Sequence, residues 1–324
     1  MTASARLSRR GLGLVAASLA ALVGLSACSS GQSPVTGGQD AGGKRTITDA
    51  LGKQVEVPAN PQRVLALSEQ DLDAVLAMDV KPVGTVNGRG QKTPPRYLGD
   101  RLKDIKVVGD LSTPSMDKVV ESTPDVILAG GVTDENVLNQ LRQVAPTVVT
   151  FKLETDWKTA FRIEADALNK ADKAKAVLAD YDRKVQEVKG KLGPNANAEV
   201  SIVRWNPKGP GTMQTQQFAS LVVADLGLRR PAAQQEPGFS HGSPLSLEAL
   251  AKMDGDWLFL GTLTPDGEAV QAMEQARNMP AFQQLKAVRD NHLVAVDGSL
   301  WTSRGGPLGA LAVVEDVSKA MAKS

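Results

Sequence analysis

Three arginines stand just beyond short apolar runs, each with aromatic or amide neighbours. Asn87-Gly88-Arg89-Gly90 follows residues 83–86, with Tyr97 a little further on. Arg204-Trp205-Asn206 follows residues 200–203, and Trp301 and Arg304 follow residues 293–296. A guanidinium is planar, forked and permanently charged, so it matches carboxylate-like oxygens two bonds at a time. Trp and Tyr add flat area with one hydrogen-bond handle each. If the apolar runs are parallel strands, these residues lie at the strand ends, where α/β sheets bind ligands. The chemistry on offer is recognition of an oxygen-rich anion, with Asn87, Arg89, Tyr97, Arg204, Trp205, Trp301 and Arg304 as candidate ligand-binding residues.

Other chemistries lack their parts. Holding a metal through side chains needs clustered His, Cys, Asp or Glu, and the chain has two histidines and one cysteine. His292, just before residues 293–296, reads as structural. His241 lies in a Gly/Ser-rich stretch and can touch a ligand, but a lone histidine makes no metal site. No metal site and no cofactor is expected. The sequence has no H-E-x-x-H and no G-x-x-x-x-G-K-[ST]; Gly238-Phe239-Ser240-His241-Gly242 has the G-x-S-x-G spacing but lies in the same Gly/Ser-rich stretch, not between an apolar strand run and a helix as an elbow must. Gly209-Pro210-Gly211 and Gly305-Gly306-Pro307 read as turns, because proline lacks the backbone donor a phosphate cradle needs. The expectation is a binding protein, not an enzyme.

The elements that must position the arginines follow from periodicity. Residues 46–58 predict two strands about a turn at Leu51-Gly52-Lys53. Residues 64–67 form the apolar run of a buried parallel strand, and residues 71–78 a helix. Residues 82–84 open another strand. Residues 116–121 and 137–144 read as helices, 125–129 and 147–151 as strands. Such alternation predicts an α/β layer with a mostly parallel sheet. Residues 157–168 predict a helix, and residues 171–192 a longer one. Its apolar positions Ala174, Val177, Leu178, Tyr181, Val185, Val188 and Leu192 recur at steps of three and four. It spans roughly 33 Å, the width of a small domain. Strand–helix alternation resumes at residues 200–203.

Ser115-Met116-Asp117…Asp125-Val126-Ile127-Leu128-Ala129-Gly130 echoes Ser246-Leu247-Glu248…Asp256-Trp257-Leu258-Phe259-Leu260-Gly261 without a gap. A second echo, in the same order, pairs residues 78–82 with 226–231. Two similar lobes around a cleft are expected, joined by the long helix. The boundaries are an N-terminal lobe at 45–168, a connecting helix at 169–193 and a C-terminal lobe at 194–324.

The first 27 residues form a secretory leader: Arg6, Arg9 and Arg10, then an apolar run, then Leu25-Ser26-Ala27 before the only cysteine, Cys28. This resembles a bacterial lipoprotein signal, which implies lipid, such as palmitate, on Cys28. The paired arginines leave Sec or twin-arginine export open. Residues 28–44 read as a flexible tether. The expected location is the extracytoplasmic face of the cell membrane, lipid-anchored. Removing the leader, with three arginines and no acids, takes the formal charge from +1 to −2. A near-neutral protein offers no electrostatic footprint for nucleic acid.

Asp49-Ala50-Leu51-Gly52-Lys53 through Val57-Pro58, Asn60-Pro61-Gln62-Arg63-Val64, and Lys81-Pro82-Val83-Gly84 together resemble the iron–siderophore binding proteins of ABC importers. Pro124-Asp125-Val126-Ile127, Ser246-Leu247-Glu248 and Trp301…Gly305-Gly306-Pro307 continue the resemblance over about residues 45–322. That family includes the ferric-citrate, ferrichrome and cobalamin binding proteins. The resemblance implies a class III periplasmic-binding-protein fold: two Rossmann-like α/β lobes with mostly parallel sheets joined by one long rigid α-helix. It implies a substrate-binding lipoprotein that captures a ferric siderophore in the inter-lobe cleft, with the iron held by the siderophore. The partners would be a membrane permease and a separate ATPase, the protein itself being a monomer. An acid on each lobe would dock on the permease, and the matching positions are Asp117 and Glu248. Leu111 stands where ferrichrome-type proteins carry a binding arginine, which points towards carboxylate siderophores and C-terminal arginines. Cobalamin or haem binding on the same fold, and a non-transport surface lipoprotein, are the alternatives.

Overall fold

The computed structural model describes residues 43–322. The leader, Cys28 and most of the tether lie outside the described residues. Two strands, β1 (Lys44–Thr48) and β2 (Gln54–Pro58), form an antiparallel hairpin about the expected turn. Then come β3 (Val64–Ala66), β4 (Gly84–Asn87), β5 (Lys106–Asp110), β6 (Thr113–Pro114), β7 (Val126–Leu128) and β8 (Thr147–Val148). They build a six-stranded sheet in the order β6-β5-β4-β3-β7-β8, parallel except for β6. A second sheet, in the order β10-β9-β11-β12, contains β9 (Val200–Asn206), β10 (Gly209–Thr212), β11 (Trp257–Gly261) and β12 (Leu293–Ala295). Every residue of β3, β7 and β11 is buried, as parallel strands covered on both faces should be. The fold is the expected mixed α/β class with mostly parallel sheets.

The internal echo is topological as well as sequential. Strand β7 lies parallel between β3 and β8, and β11 lies parallel between β9 and β12. Asp125 and Asp256 share one task. Asp125 accepts the backbone N–H of Gln62 and Arg63, just ahead of β3. Asp256 accepts that of Glu199, just ahead of β9. Each carboxylate satisfies donors that the neighbouring strand leaves unpaired where it begins.

The long helix runs Ala171–Lys191. Its Ala174 packs into the core beside the first sheet, whereas Tyr181, Val185 and Val188 join the core beside the second. The final helix, Pro307–Met321, contributes Ala310, Val313, Val314 and Val317 to that second core.

A further junction was not expected. Asp73, on the helix Glu69–Ala77, is fully buried. It accepts the N–H groups of Leu308 and Gly309 at 2.8 and 2.7 Å, at the start of the final helix. The carboxylate satisfies donors that a helix N-terminus leaves free and sits at the positive end of its dipole. Arg96 reaches Asp297 at 2.7 Å across the same seam.

Two expected turns need correction. Gly209-Pro210-Gly211 belongs to β10, an edge strand antiparallel to β9. An edge tolerates proline because on its outer side Pro210 need only accept, and its carbonyl does so from the Leu245 N–H. Gly305-Gly306-Pro307 opens the final helix, with Pro307 at its first position. Gly306 is needed for space: a Cβ there would lie 2.6 Å from Asp73 Oδ1.

Candidate functional site

The strand ends bring three of the candidate residues together. Arg89, Arg204 and Arg304 line one cleft with Phe239, His241 and Ser303, enclosing about 120 Å³. Arg89 comes from the turn after β4, Arg204 from the far end of β9, and Arg304 from the segment between β12 and the final helix.

Arg204 is the most constrained. It is 7% exposed, and its cross-strand neighbours are Gly211 on β10 and Gly261 on β11. Directly opposed residues point to the same face, so neither adjacent strand supplies a side chain beside it. Its Nε is buried without a partner, and its guanidinium forms no ion pair among the described residues. Burial lowers its pKa, as does Arg89, with Glu69 opposing.

Arg304 is anchored. It donates to the carbonyls of Leu153 and Thr155 and lies over the Phe151 ring at 4.8 Å. Burial and the charge of Arg89 bring it down to about 10, so it stays cationic at neutral pH. The Arg89 side chain is exposed. Its backbone N–H donates to Glu69 Oε1 at 2.6 Å. Ser303 donates from its hydroxyl to Glu69 Oε2 at 2.7 Å.

The other candidates lie elsewhere, each for a physical reason. Trp205 was expected in a loop, but β9 extends to Asn206 because β10 pairs with it. Side chains alternate along a strand, so Trp205 turns away from Arg204 into a core with Leu250, Met253 and Phe282. Trp301, fully buried, stacks on Phe259 at 4.4 Å and donates Nε1–H to Asp316. It is a packing residue. The Tyr97 hydroxyl donates to Asp73 at 2.7 Å and so belongs to the seam. Asn87 donates to Asp110 at 2.9 Å, joining β4 to β5. The aromatic surface in the cleft comes from Phe239, in a Pro/Gly-containing stretch with no periodic signal. Glu69 also escaped selection, although the strand-end rule points to Ser68-Glu69.

Asp117 and Glu248 are exposed, in the first turns of Met116–Glu121 and Leu247–Met253. Hydrogen bonding from Ser246 holds Glu248 below the usual carboxylate range. His241 lies in the cleft; His292 stacks on Trp257 at 4.0 Å. No group of three or more His, Cys, Asp or Glu suited to a metal occurs among the described residues. A larger groove of about 440 Å³, lined by Trp205, Lys208, Leu247 and Met279, holds one charged side chain. It lacks the convergent charge of the cleft.

Comparison with known proteins places this geometry in a family. The family profile described as periplasmic binding protein matches residues 64–300. The probable siderophore-binding lipoprotein YfiY of Bacillus subtilis is 34% identical over 307 residues, covering 92% of this chain and 94% of that protein. The Fe(3+)-citrate-binding protein YfmC of the same organism is 27% identical and covers 93% of each chain. The crystal structure of Staphylococcus aureus SirA complexed with staphyloferrin B superposes with a TM-score of 0.73 at 25% identity. That match covers 85% of this chain and 98% of SirA. With the profile spanning most of the chain and a relative this similar over nearly its whole length, the chain belongs to the periplasmic binding protein family.

Proposed function

We propose that this protein is the substrate-binding lipoprotein of an ABC importer and that its cleft captures an anionic ferric siderophore. Arg204 carries the reading. A buried guanidinium without a counter-ion is costly, and an anionic ligand supplies the missing partner. Arg89 and Arg304 extend the positive surface, so a complex with several carboxylate oxygens can be gripped from both sheets. The relatives named for a siderophore, for ferric citrate and for staphyloferrin B support the same ligand class. Cobalamin, bulky and mostly neutral, would leave Arg204 unpaired. The family and these relatives are binding proteins, not enzymes. The enclosed space is smaller than the roughly 300–1,000 Å³ of small-molecule sites. Binding therefore displaces the segment around Phe239 and His241, held to the second sheet by the Met213–His241 bridge.

Titration with ferric citrate, ferric staphyloferrin B and a ferric hydroxamate, followed by tryptophan quenching, tests the binding. Saturable quenching is expected with the two carboxylate complexes. No response to any of the three, nor to a ferric catecholate, would end the siderophore reading.

In the same proposal Cys28 carries the lipid anchor, residues 45–168 and 194–324 form the two lobes, and Asp117 and Glu248 dock on arginines of the permease. YfiY is itself named a lipoprotein, and no helix among the described residues is long and apolar enough to cross a membrane. Cys28→Ala should release the protein from the membrane fraction. Glu248→Ala should leave binding intact and cut ligand uptake by cells several-fold; unchanged uptake would remove it from the docking surface.

A further inference from the structure

Glu69 is a buried carboxyl beneath a cationic cleft, and it makes no ion pair. Only 4% of the residue is exposed. Its two oxygens are occupied by neutral donors, the Arg89 N–H on one and the Ser303 hydroxyl on the other. Arg89 follows β4 in the first sheet, and Ser303 follows β12 in the second. One carboxyl thus ties the two sides of the cleft together, directly beside two of its three arginines.

We propose that Glu69 sets the charge of the cleft: it holds Arg89 and Ser303 in register and takes up a proton from solvent when an anionic ligand binds. This rests on the reading that the cleft takes an anionic ferric complex.

The charged surroundings argue for proton uptake. The guanidiniums of Arg89 and Arg204 act on Glu69, and Glu69 acts in turn on Arg304. Asp73 follows one turn along the same helix, with the Tyr97 hydroxyl bonded to it. Glu154 faces Arg304, and the paired Arg96 and Asp297 lie at the seam. While the guanidiniums are free, their field favours the carboxylate. A ligand that pairs with Arg204 and Arg304 cancels that field and adds negative charge of its own. Burial then favours the neutral acid. Burial already holds Glu69 above the usual carboxylate range, against the Ser303 and Arg89 hydrogen bonds. The protonated acid loses nothing geometrically, since one oxygen still accepts from Arg89 N–H. The other becomes an O–H that donates to Ser303 Oγ, whose hydroxyl proton rotates away.

Two substitutions separate charge from geometry. Glu69→Gln keeps both hydrogen bonds, its oxygen accepting from Arg89 and its amide donating to Ser303, but cannot titrate. Glu69→Ala loses both. The experiment is calorimetric titration of the full chain with ferric citrate and with ferric staphyloferrin B. It is run in two buffers of different ionisation enthalpy, from about pH 5 to about pH 9. The wild type should take up as much as about one proton per ligand, and its affinity should fall by up to about tenfold per pH unit across the uptake window. Glu69→Gln should bind with little uptake and a nearly flat pH dependence. Glu69→Ala should bind more weakly at every pH. Wild type that binds neither complex overturns the anion-binding reading and this proposal with it. Binding without proton uptake, or uptake that survives in Glu69→Gln, overturns the proposal alone.

Discussion

Asp73→Ala is expected to lower the unfolding free energy by about 4 kcal/mol at neutral pH, among the largest effects of any polar truncation in this fold. The substitution strands three donors at once: the Tyr97 hydroxyl and the N–H groups of Leu308 and Gly309. Each buried unpaired donor costs about 1–3 kcal/mol. The seam is tightly built, with Gly306 bare against the carboxylate, so the vacated space is small and water is poorly placed to substitute. Denaturant unfolding measures the effect as a shift in midpoint at constant slope. A loss below about 1 kcal/mol would mean that the Asp73 contact contributes little to joining the two sheets.

The same carboxyl gives a pH test with a definite sign. Burial pushes Asp73 up to about 6, its hydrogen bonds opposing. An unfolded aspartate titrates near about 3.9. The folded protein therefore binds this proton more tightly than the unfolded chain does. The group's contribution to stability is full below about pH 4 and declines as pH rises through about 6. Asp71 and Glu164, both buried, are raised as well and shape the wild-type profile. Asp73→Asn isolates the one group, because asparagine does not titrate. Its deficit against wild type should be largest near pH 4 and should narrow by about 2 kcal/mol towards pH 7. A deficit that widened with pH would show a carboxylate stabilised beyond its burial cost.

Local physics made most of the fold legible in the sequence, and long-range pairing hid the rest. The long helix was readable because an apolar stripe at steps of three and four is set by one segment alone. The echo around Asp125 and Asp256 was readable because each acid acts on a strand beginning that repeats in both sheets. Strand β10 was hidden: Gly209-Pro210-Gly211 has turn composition, and only pairing with β9 makes it a strand. That pairing extends β9 and decides where Trp205 points, so the loop assigned to Trp205 and the strand missing from Gly209–Thr212 are one misreading. In the cleft, the arginines were legible because strand ends collect ligand-facing charge in parallel sheets. Tryptophans at the same ends carried no such information, since their area is equally useful in a core. Asp73 and Gly306 were invisible because the contact joins residues more than two hundred positions apart.

Arg204→Met should move two measurements in opposite directions. Affinity for ferric citrate or ferric staphyloferrin B should fall about 100-fold, the equivalent of about 3 kcal/mol for a bidentate charge-assisted contact. Stability of the ligand-free protein should rise by about 1 kcal/mol, because an apolar side chain of similar length replaces a desolvated charge with no counter-ion. Arg204→Lys sharpens the argument. Lysine keeps the charge and loses the planar fork, so an intermediate loss of about tenfold is expected if geometry matters as well as charge. An arginine kept for packing alone would lose stability in the methionine variant and leave affinity unchanged, and that result would move the ligand away from this cleft. The opposed signs follow from the position: Gly211 and Gly261 flank Arg204 with no side chains, and Glu69 reaches it only through its field, so an anion arriving from solvent supplies the direct pairing the guanidinium lacks.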